Sequence, residues 1–185
     1  MYSITDIKKG TVINLDGTPH RVVEYNHSSM GRGGAVARTK LRNLVDGSVT
    51  SKTFRGSDKI EPADIKPVEA QFLYSDGEQA YFMRLDTFEQ VGLNQRLLAS
   101  ELPFIPEGTE VKLLYHGQTP LTCELPLKVE LAVVEADPGV KGDSASNVMK
   151  QCRVETGATI QVPLFIEAGD HIRVDTRSGE YVERV

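Results

Sequence analysis

The clearest structural signal in this sequence is the run Phe72-Leu73-Tyr74-Ser75-Asp76-Gly77-Glu78-Gln79-Ala80-Tyr81-Phe82-Met83. Two segments rich in aromatic and apolar residues flank an Asp-Gly pair. Such a pair favours the type I′ turn, because both central residues of that turn need positive φ. The run therefore predicts two antiparallel strands joined by a tight hairpin.

The same turn signal recurs along the whole chain. Asp-Gly pairs also stand at 16–17 and 46–47, and His116-Gly117 and Ser178-Gly179 repeat the pattern. Segments such as Val129-Glu130-Leu131-Ala132-Val133-Val134 are rich in β-branched residues, which favour strands. Many short strands with turns between them predict an all-β protein built from small barrels or sandwiches.

Little helix is expected. One short candidate runs from about Asn94, as the N-cap, to Leu102, and Pro103 would end it. The segment Asp86-Thr87-Phe88-Glu89 resembles a capping box with aspartate in the cap position, which predicts that a second turn begins there.

Two proline-containing segments divide the chain. Residues 61–67 hold two prolines, and residues 124–127 form a shorter break. We therefore expect three domains, at 1–63, 64–127 and 128–185. Each has a length that suits a barrel of five or six strands.

Composition narrows the protein class. The chain has 185 residues, and no run of about 18 apolar residues that would span a membrane. Residues 1–6 carry neither a charged leader nor an apolar segment, so a secretory signal is not expected. Cys123 and Cys152 are far apart and form no C-x-x-C pair, which favours free thiols in a reducing, cytoplasmic setting over a disulfide.

Charge is distributed unevenly. Residues 1–60 carry ten Lys and Arg against five Asp and Glu, whereas residues 61–185 carry 11 against 21. This asymmetry suggests that the N-terminal part approaches a polyanion, either RNA or a membrane surface. Chance variation between small domains is the alternative.

The segment Asn26-His27-Ser28-Ser29-Met30-Gly31-Arg32-Gly33-Gly34 reads as a long loop between strands that end near Tyr25 and begin near Ala35. Glycines on both sides of Arg32 would let the backbone approach another surface closely. A guanidinium at such a tip would suit a narrow binding site with negative charge. An ordinary solvated hairpin tip is the alternative interpretation.

The strand that follows carries three more cations. Alternation over residues 35–42 places Arg38, Lys40 and Arg42 on one face, and Ala37, Thr39 and Leu41 on the other. A row of cations below the tip indicates contacts to a phosphate backbone, which position a protein without reading sequence. A solvated strand face would show the same pattern.

Several segments together resemble one known family. They are the loop Gly31-Arg32-Gly33-Gly34-Ala35 with the strand to Asn43, then Asp137-Pro138-Gly139-Val140-Lys141-Gly142-Asp143, then Val162-Pro163-Leu164-Phe165-Ile166, and then Asp175-Thr176-Arg177-Ser178-Gly179-Glu180-Tyr181. In this order, and over essentially the whole chain, they resemble bacterial translation elongation factor P. The resemblance implies an SH3-like, KOW-like N-terminal barrel followed by two OB-fold barrels.

The tip residue suggests a branch of that family. Many members carry a modified lysine at the tip, often after a proline, whereas here Met30-Gly31 precedes Arg32. Some members of the arginine-tip branch bear a rhamnose on this residue. By resemblance, Arg32 is the residue that an arginine-modifying rhamnosyl transferase would modify as a partner, whereas other members of this branch function unmodified.

The resemblance also implies a function and its site residues. Such a protein binds the ribosome between the peptidyl-tRNA and exit sites and stimulates peptide-bond formation at polyproline stretches. Its partners would be the ribosome, ribosomal RNA and peptidyl-tRNA, with no membrane. The effector loop at the CCA end would be Gly31, Arg32, Gly33 and Gly34. The C-terminal residues facing the ribosome and codon would be Gly142, Asp143, Ser144, Asp175, Arg177 and Tyr181. Ser144 stands where threonine is usual, and it keeps the hydroxyl.

Other functions fit less well. The four histidines are scattered, and the sequence has no metal-binding, nucleophile-elbow or phosphate-loop motif, so neither a catalytic residue nor a cofactor nor a metal is expected. A free single-strand RNA-binding OB protein would need more aromatic stacking residues than the 6% found here. A paralogue similar to elongation factor P also carries arginine at its tip, but its ending departs from the Asp175–Tyr181 pattern.

Overall fold

The computed structural model of the protein describes residues 1–30, 34–139 and 148–185. The all-β prediction is confirmed: within these ranges, fifteen strands form three five-stranded sheets with barrel-like arrangements. Within the described residues, Cys123 and Cys152 form no disulfide, and both are buried.

The first sheet holds the basic N-terminal part of the chain. Its strands are β1 (Val12–Leu15), β2 (Thr18–Met30), β3 (Gly34–Asn43), β4 (Val49–Arg55) and β5 (Glu61–Pro62). Their order in the sheet is β4-β3-β2-β1-β5. Apolar side chains from alternate strand positions form its core, including the fully buried Ile13, Val22 and Leu41.

The second sheet contains the hairpin that the sequence signalled most clearly. Its strands are β6 (Lys66–Ser75), β7 (Gln79–Arg84), β8 (Gln90–Asn94), β9 (Glu110–His116) and β10 (Thr119–Glu124), in the order β10-β9-β6-β7-β8. Phe72 and Phe82 face each other across β6 and β7, with ring centroids 5.4 Å apart and both rings buried. Aromatic pairs at this distance add to the stability from burial alone.

The third sheet forms the C-terminal part. Its strands are β11 (Lys128–Ala136), β12 (Met149–Val154), β13 (Thr159–Pro163), β14 (His171–Asp175) and β15 (Glu180–Arg184), in the order β13-β12-β11-β14-β15. Its core is aliphatic and includes Leu131, Val154, Val162 and Ile172, each fully buried.

Two compact units account for the chain, Met1–Val68 with Leu113–Thr122, and Glu69–Lys112 with Cys123–Val185. The sheets follow one another along the sequence, at 12–62, 66–124 and 128–184. The domain boundaries at 1–63, 64–127 and 128–185 stay a prediction.

The predicted type I′ turn is present at one Asp-Gly pair and wrong at two. Asp16 and Gly17 both have positive φ, at 52° and 80°, and they alone connect β1 to β2. At 46–47 and 76–77 only the glycine has positive φ. Around Asp76 the carboxylate instead accepts backbone hydrogen bonds from Glu78 and Gln79 at 2.9 and 2.8 Å, so an aspartate-stabilised turn replaces the tighter one.

The single helix predicted over 94–102 is wrong. Two short 3-10 helices replace it, at Gln95–Leu98 and Leu102–Phe104. Asn94 does cap the first, since its side-chain oxygen accepts the Arg96 N–H at 2.9 Å. Pro103 lies inside the second instead of ending a helix, because proline fits the first turn, where no N–H donor is needed.

Three loops between strands close with the same backbone hydrogen bond across four positions, and one of them contains the predicted turn at 86–89. The backbone N–H of Gly47, Phe88 and Gly179 donates to the carbonyl of Asn43, Arg84 and Asp175, at 2.9, 2.9 and 2.8 Å. The donor residues have φ of 79°, 60° and 74°. Asp86–Glu89 is therefore not a helix start but part of the loop between β7 and β8. Phe88 occupies a left-handed position that elsewhere is filled by glycine.

Candidate nucleic-acid interface

The tip of the first sheet is carried by a two-stranded ribbon of β2 and β3. Pairing of these strands continues without a loop to Met30 opposite Gly34. The predicted loop over 26–34 is therefore wrong in its bounds, since only residues 31–33 lie between the strands. Polar residues can form this extension because strand pairing uses backbone groups alone. Gly31, Arg32 and Gly33 lie outside the described residues.

Gly34 begins β3 in a conformation that suits glycine. Its φ is +77°, and an added Cβ would meet open space, so the constraint on this residue comes from the backbone and not from crowding. Gly34 is therefore a strand residue, whereas the sequence analysis predicted it to be part of the effector loop.

The cations of β3 lie where the alternation predicts. Ala37, Thr39 and Leu41 are buried, whereas Arg38 and Lys40 are exposed. Arg42 lies on the same face as these two and is half-buried. The Thr39 hydroxyl, which faces inward, donates to the carbonyl oxygen of Lys52 at 2.8 Å.

Neutral polar groups flank this cationic face. Asn26 and Thr53 lie directly opposite Arg38 on the two neighbouring strands, and Ser51 lies opposite Lys40. These residues line a shallow groove of about 240 Å³. Amide, hydroxyl and cationic groups are the donors that proteins use to contact phosphate oxygens, so the groove suits a phosphate backbone.

The three cations differ in their surroundings. The Lys40 ammonium lies 2.9 Å from a carboxylate oxygen of Glu24, and both side chains are about half exposed. An exposed pair of this kind is worth about 0–1 kcal/mol, so phosphate could replace the carboxylate at little cost. Arg38 forms no salt bridge with any residue that the structure describes. Arg42 lies directly opposite Arg21.

Arg21 was missed by the sequence analysis. The pairing of β2 and β3 shifts register between Val22 and Glu24, and this bulge brings Arg21 and Glu24 to the same face although they are three residues apart. Simple alternation would place them on opposite faces. No signal in the sequence shows where a bulge falls, so only the strand register reveals this extra cation.

In the third sheet, the structure brings together two of the predicted C-terminal residues. The Arg177 guanidinium donates to both carboxylate oxygens of Asp175, at 3.1 and 2.6 Å, and the Arg177 backbone N–H donates at 2.9 Å. These bonds hold the pKa of Asp175 well below its usual range and raise the pKa of Arg177. Arg177 remains largely exposed, with 66% of its side-chain surface accessible, so it can still be approached by a partner.

Tyr181 lies apart from this pair. It stands opposite Val174 on β15 and packs, half-buried, against the C-terminal core. Gly179 lies between Arg177 and Tyr181 in the sequence, and an added Cβ there would come within 3.1 Å of the Phe104 ring. This segment therefore has a structural role beside any contact it makes. Gly142, Asp143 and Ser144 lie outside the described residues.

Two other features are absent from the part of the chain that the structure describes. Among residues 1–30, 34–139 and 148–185, no group of three or more His, Cys, Asp or Glu could hold a metal ion. In the same part of the chain, no helix has the length and apolar character needed to cross a membrane.

Family models match nearly the whole chain in three consecutive parts. Residues 3–60 match the elongation factor P KOW-like domain, residues 65–123 the elongation factor P OB domain, and residues 129–184 the elongation factor P C-terminal domain.

Individual relatives match from end to end. Elongation factor P of Nitratidesulfovibrio vulgaris (strain DP4) is 45% identical over 184 residues, covering 100% of both chains. Elongation factor P of Clostridium perfringens (strain SM101 / Type A) is 45% identical over 185 residues, again covering 100% of both. Among solved structures, eukaryotic translation initiation factor 5A from Methanococcus jannaschii covers 68% of this chain and 92% of its own, at 22% identity. Its TM-score of 0.45 is too low to add to these matches.

Proposed function

This chain belongs to the elongation factor P family, which comprises translation elongation factors and not enzymes, and we propose that it binds the ribosome between the peptidyl-tRNA and exit sites. There it stimulates peptide-bond formation and relieves stalling at polyproline stretches. The ribosome, its RNA and the peptidyl-tRNA are the partners.

The observation that carries this proposal is the ribbon of β2 and β3 with its cationic face. Pairing from Glu24 opposite Lys40 to Met30 opposite Gly34 forms a β-ladder with no register shift, and residues on strands are positioned more precisely than residues on loops. Arg38 and Lys40 stand on the outward face of that ladder. Phosphate contacts made there would fix the orientation of the ribbon along the tRNA acceptor arm.

Arg32 is the effector residue at the CCA end in this proposal. The flanking Gly31 and Gly33 carry no side chains, which lets the tip enter a narrow place beside the peptidyl-transferase centre. The guanidinium supplies donors for phosphate and ribose oxygens. Arg32 would neither take nor give a proton, and the chemistry stays with the ribosome.

The mechanism is positional. Proline has a fixed φ and restricts the residue before it, so a nascent chain that ends in prolines reaches a reactive geometry less often. A factor that holds the peptidyl-tRNA in that geometry lowers the entropic part of the barrier. Each 1.4 kcal/mol gained in this way corresponds to about a tenfold increase in rate.

The C-terminal sheet has a second contact role in this proposal. Gly142, Asp143 and Ser144 would approach the codon in the exit site, and Asp175, Arg177 and Tyr181 would form the neighbouring ribosome-facing segment. The support for Arg177 is its exposure: the Asp175 carboxylate holds its guanidinium in place while leaving most of it accessible.

Finer assignments extend the proposal. The arginine at position 32 supports membership of the arginine-tip branch, and Arg32 would be the residue modified if a rhamnosyl transferase is a partner. Action on the ribosome implies a cytoplasmic protein. The N-terminal domain, 1–63, would contact the acceptor arm, and the C-terminal domain, 128–185, the small-subunit side.

The test is synthesis of a triple-proline reporter in a purified translation system, with wild-type protein, with Arg32→Ala, or with neither. We expect wild type alone to restore synthesis, while a proline-free reporter is unaffected by any addition. Recombinant wild type could fail because it lacks a modification. In that case, protein purified from its natural source is tested in the same assay, and the mass of its Arg32 peptide shows whether the residue is modified. Failure of that protein as well would overturn the proposal.

A further inference from the structure

We propose that His27 is a stacking platform for a nucleobase in the single-stranded 3′ end of the peptidyl-tRNA. The inference rests on the proposed function and adds a base contact to the ribbon whose cations contact phosphate.

His27 is the outer member of a stacked aromatic pair. Its ring centroid lies 6.4 Å from that of Tyr25, with an angle of 16° between the ring planes. This separation falls within the range in which aromatic rings attract each other. The two residues are two positions apart on β2, so both project from the same face of the ribbon.

Tyr25 gives the pair a fixed base. Its hydroxyl donates a hydrogen bond to the carbonyl oxygen of Ile4 at 2.8 Å, and its ring packs against the N-terminal core. Tyr25 is half-buried, whereas His27 is exposed. An exposed ring that rests on an anchored one loses little further freedom on binding, and such preorganisation favours affinity.

The neighbouring strand leaves the His27 ring uncovered. Ala37 lies directly opposite His27, and Ala35 is the next residue on that face of β3. Neither side chain extends beyond a methyl group. Within the described part of the chain, His27 also makes no hydrogen bond that would hold its ring against the protein. An uncovered aromatic ring of this kind suits base stacking, for which proteins use histidine as well as Phe, Tyr and Trp.

The position of His27 selects a single strand over a duplex. His27 is three residues from Met30, the last residue of β2. It pairs with Ala37, so it lies on the other face of the ribbon from Arg38. Bases within a duplex are already stacked, whereas the unpaired 3′ end of a tRNA has free base faces. The ribbon thus offers cations to phosphate on one face and an aromatic ring to a base on the other.

The experiment measures the affinity of wild type and three variants for ribosomes that carry tRNA in the peptidyl site. The tRNA is either intact or deprived of its CCA end, and the variants are His27→Ala, His27→Leu and His27→Phe. On intact tRNA we expect His27→Ala and His27→Leu to bind about fivefold to a hundredfold more weakly, and His27→Phe to bind close to wild type. When the tRNA lacks its CCA end, wild type cannot make the base contact either. The His27 variants should then bind as tightly as wild type.

The control is Phe88→Ala, which removes another exposed aromatic ring, on the β7–β8 loop, and should leave affinity unchanged. Two outcomes would overturn the inference: unchanged binding by His27→Ala, or an equal loss on both tRNAs. If Arg38→Gln weakens binding while His27→Ala does not, the base contact is wrong and the proposed function stands. If wild type shows no preference for ribosomes that carry peptidyl-site tRNA, the proposed function itself fails.

Discussion

Arg38 differs from Lys40, its neighbour on the exposed face of β3, in that no described carboxylate forms a salt bridge with it. By contrast, Lys40 is paired with Glu24. We therefore expect Arg38→Gln to weaken ribosome binding about tenfold, the effect of one lost charge-assisted hydrogen bond. The dependence of log affinity on log salt concentration should become shallower by about one unit, because one fewer phosphate is neutralised.

Arg96→Gln is the matched control for Arg38→Gln. Arg96 is also an exposed arginine, but it lies on the first 3-10 helix and not on the ribbon. Binding titrations at several salt concentrations should show the effect for Arg38 only. The same salt slope for wild type and Arg38→Gln would remove Arg38 from the phosphate contacts.

Asp175 should make stability depend on pH in the acid range. Hydrogen bonds from Arg177 hold the pKa of Asp175 below its usual range, while in the unfolded chain it returns to about 3.9. A lowered folded-state pKa contributes stability above the unfolded pKa, and this contribution is lost as pH falls through the folded-state pKa. Asp175→Asn should therefore unfold more readily than wild type at pH 7, and the difference should shrink below about pH 4.

Denaturant unfolding of both proteins between pH 7 and pH 2 would check this. Arg177→Gln should reproduce the loss at pH 7, because it removes the partner that lowers the pKa. A constant difference between wild type and Asp175→Asn across that range would show that the carboxylate acts through packing and not through its charge.

At the scale of elements, the loop between β7 and β8 contains a residue that its backbone disfavours. Phe88 has a φ of 60° at the position that Gly47 and Gly179 fill in the two equivalent loops. A left-handed conformation costs a side-chain-bearing residue about 1–2 kcal/mol, and the greater freedom of glycine in the unfolded chain offsets about 0.5–1 kcal/mol of that. Phe88→Gly should therefore raise the free energy of unfolding by about 0.5–1 kcal/mol.

The effect of Phe88→Gly on stability can be separated from the loss of the ring for two reasons. Phe88 is 73% exposed, so removal of its ring loses little buried surface. Phe88→Ala removes the same ring but keeps a Cβ, and it should give no such gain in the free energy of unfolding. Equal stability of the glycine and alanine variants would mean that the loop stores no strain at this residue.

Elements were predictable where their pattern is local. The alternation of β3 gave the correct inward and outward faces, and Asn94 gave the correct cap. The ribbon was not predictable, because its pairing continues through polar residues that resemble a loop. The turn at Asp76 was mispredicted because the aspartate side chain, by accepting two backbone hydrogen bonds, stabilises a different turn from the one that Asp-Gly favours.

At the scale of the whole molecule, frequent turn signals together with β-branched segments were enough to predict an all-β protein. The excess of basic residues in 1–60 falls on the first sheet, where the cationic groove lies. Two kinds of information were missing from the sequence. The first is strand register, which a bulge near Val22 alters and which places Arg21 on the outward face. The second is support from distant residues, such as the Ile4 carbonyl that anchors Tyr25.

Beyond the bulge, the regular pairing of β2 and β3 from Glu24 to Met30 also restricts how the length of the ribbon can change. Successive residues on a strand point to opposite sides, so one extra residue in each arm beyond Arg38 would turn the end of the ribbon over relative to its cations. Two extra residues in each arm would keep the orientation and move the end outward by about 7 Å. The length of the ribbon can therefore change without turning its end over only if each arm gains or loses residues in pairs.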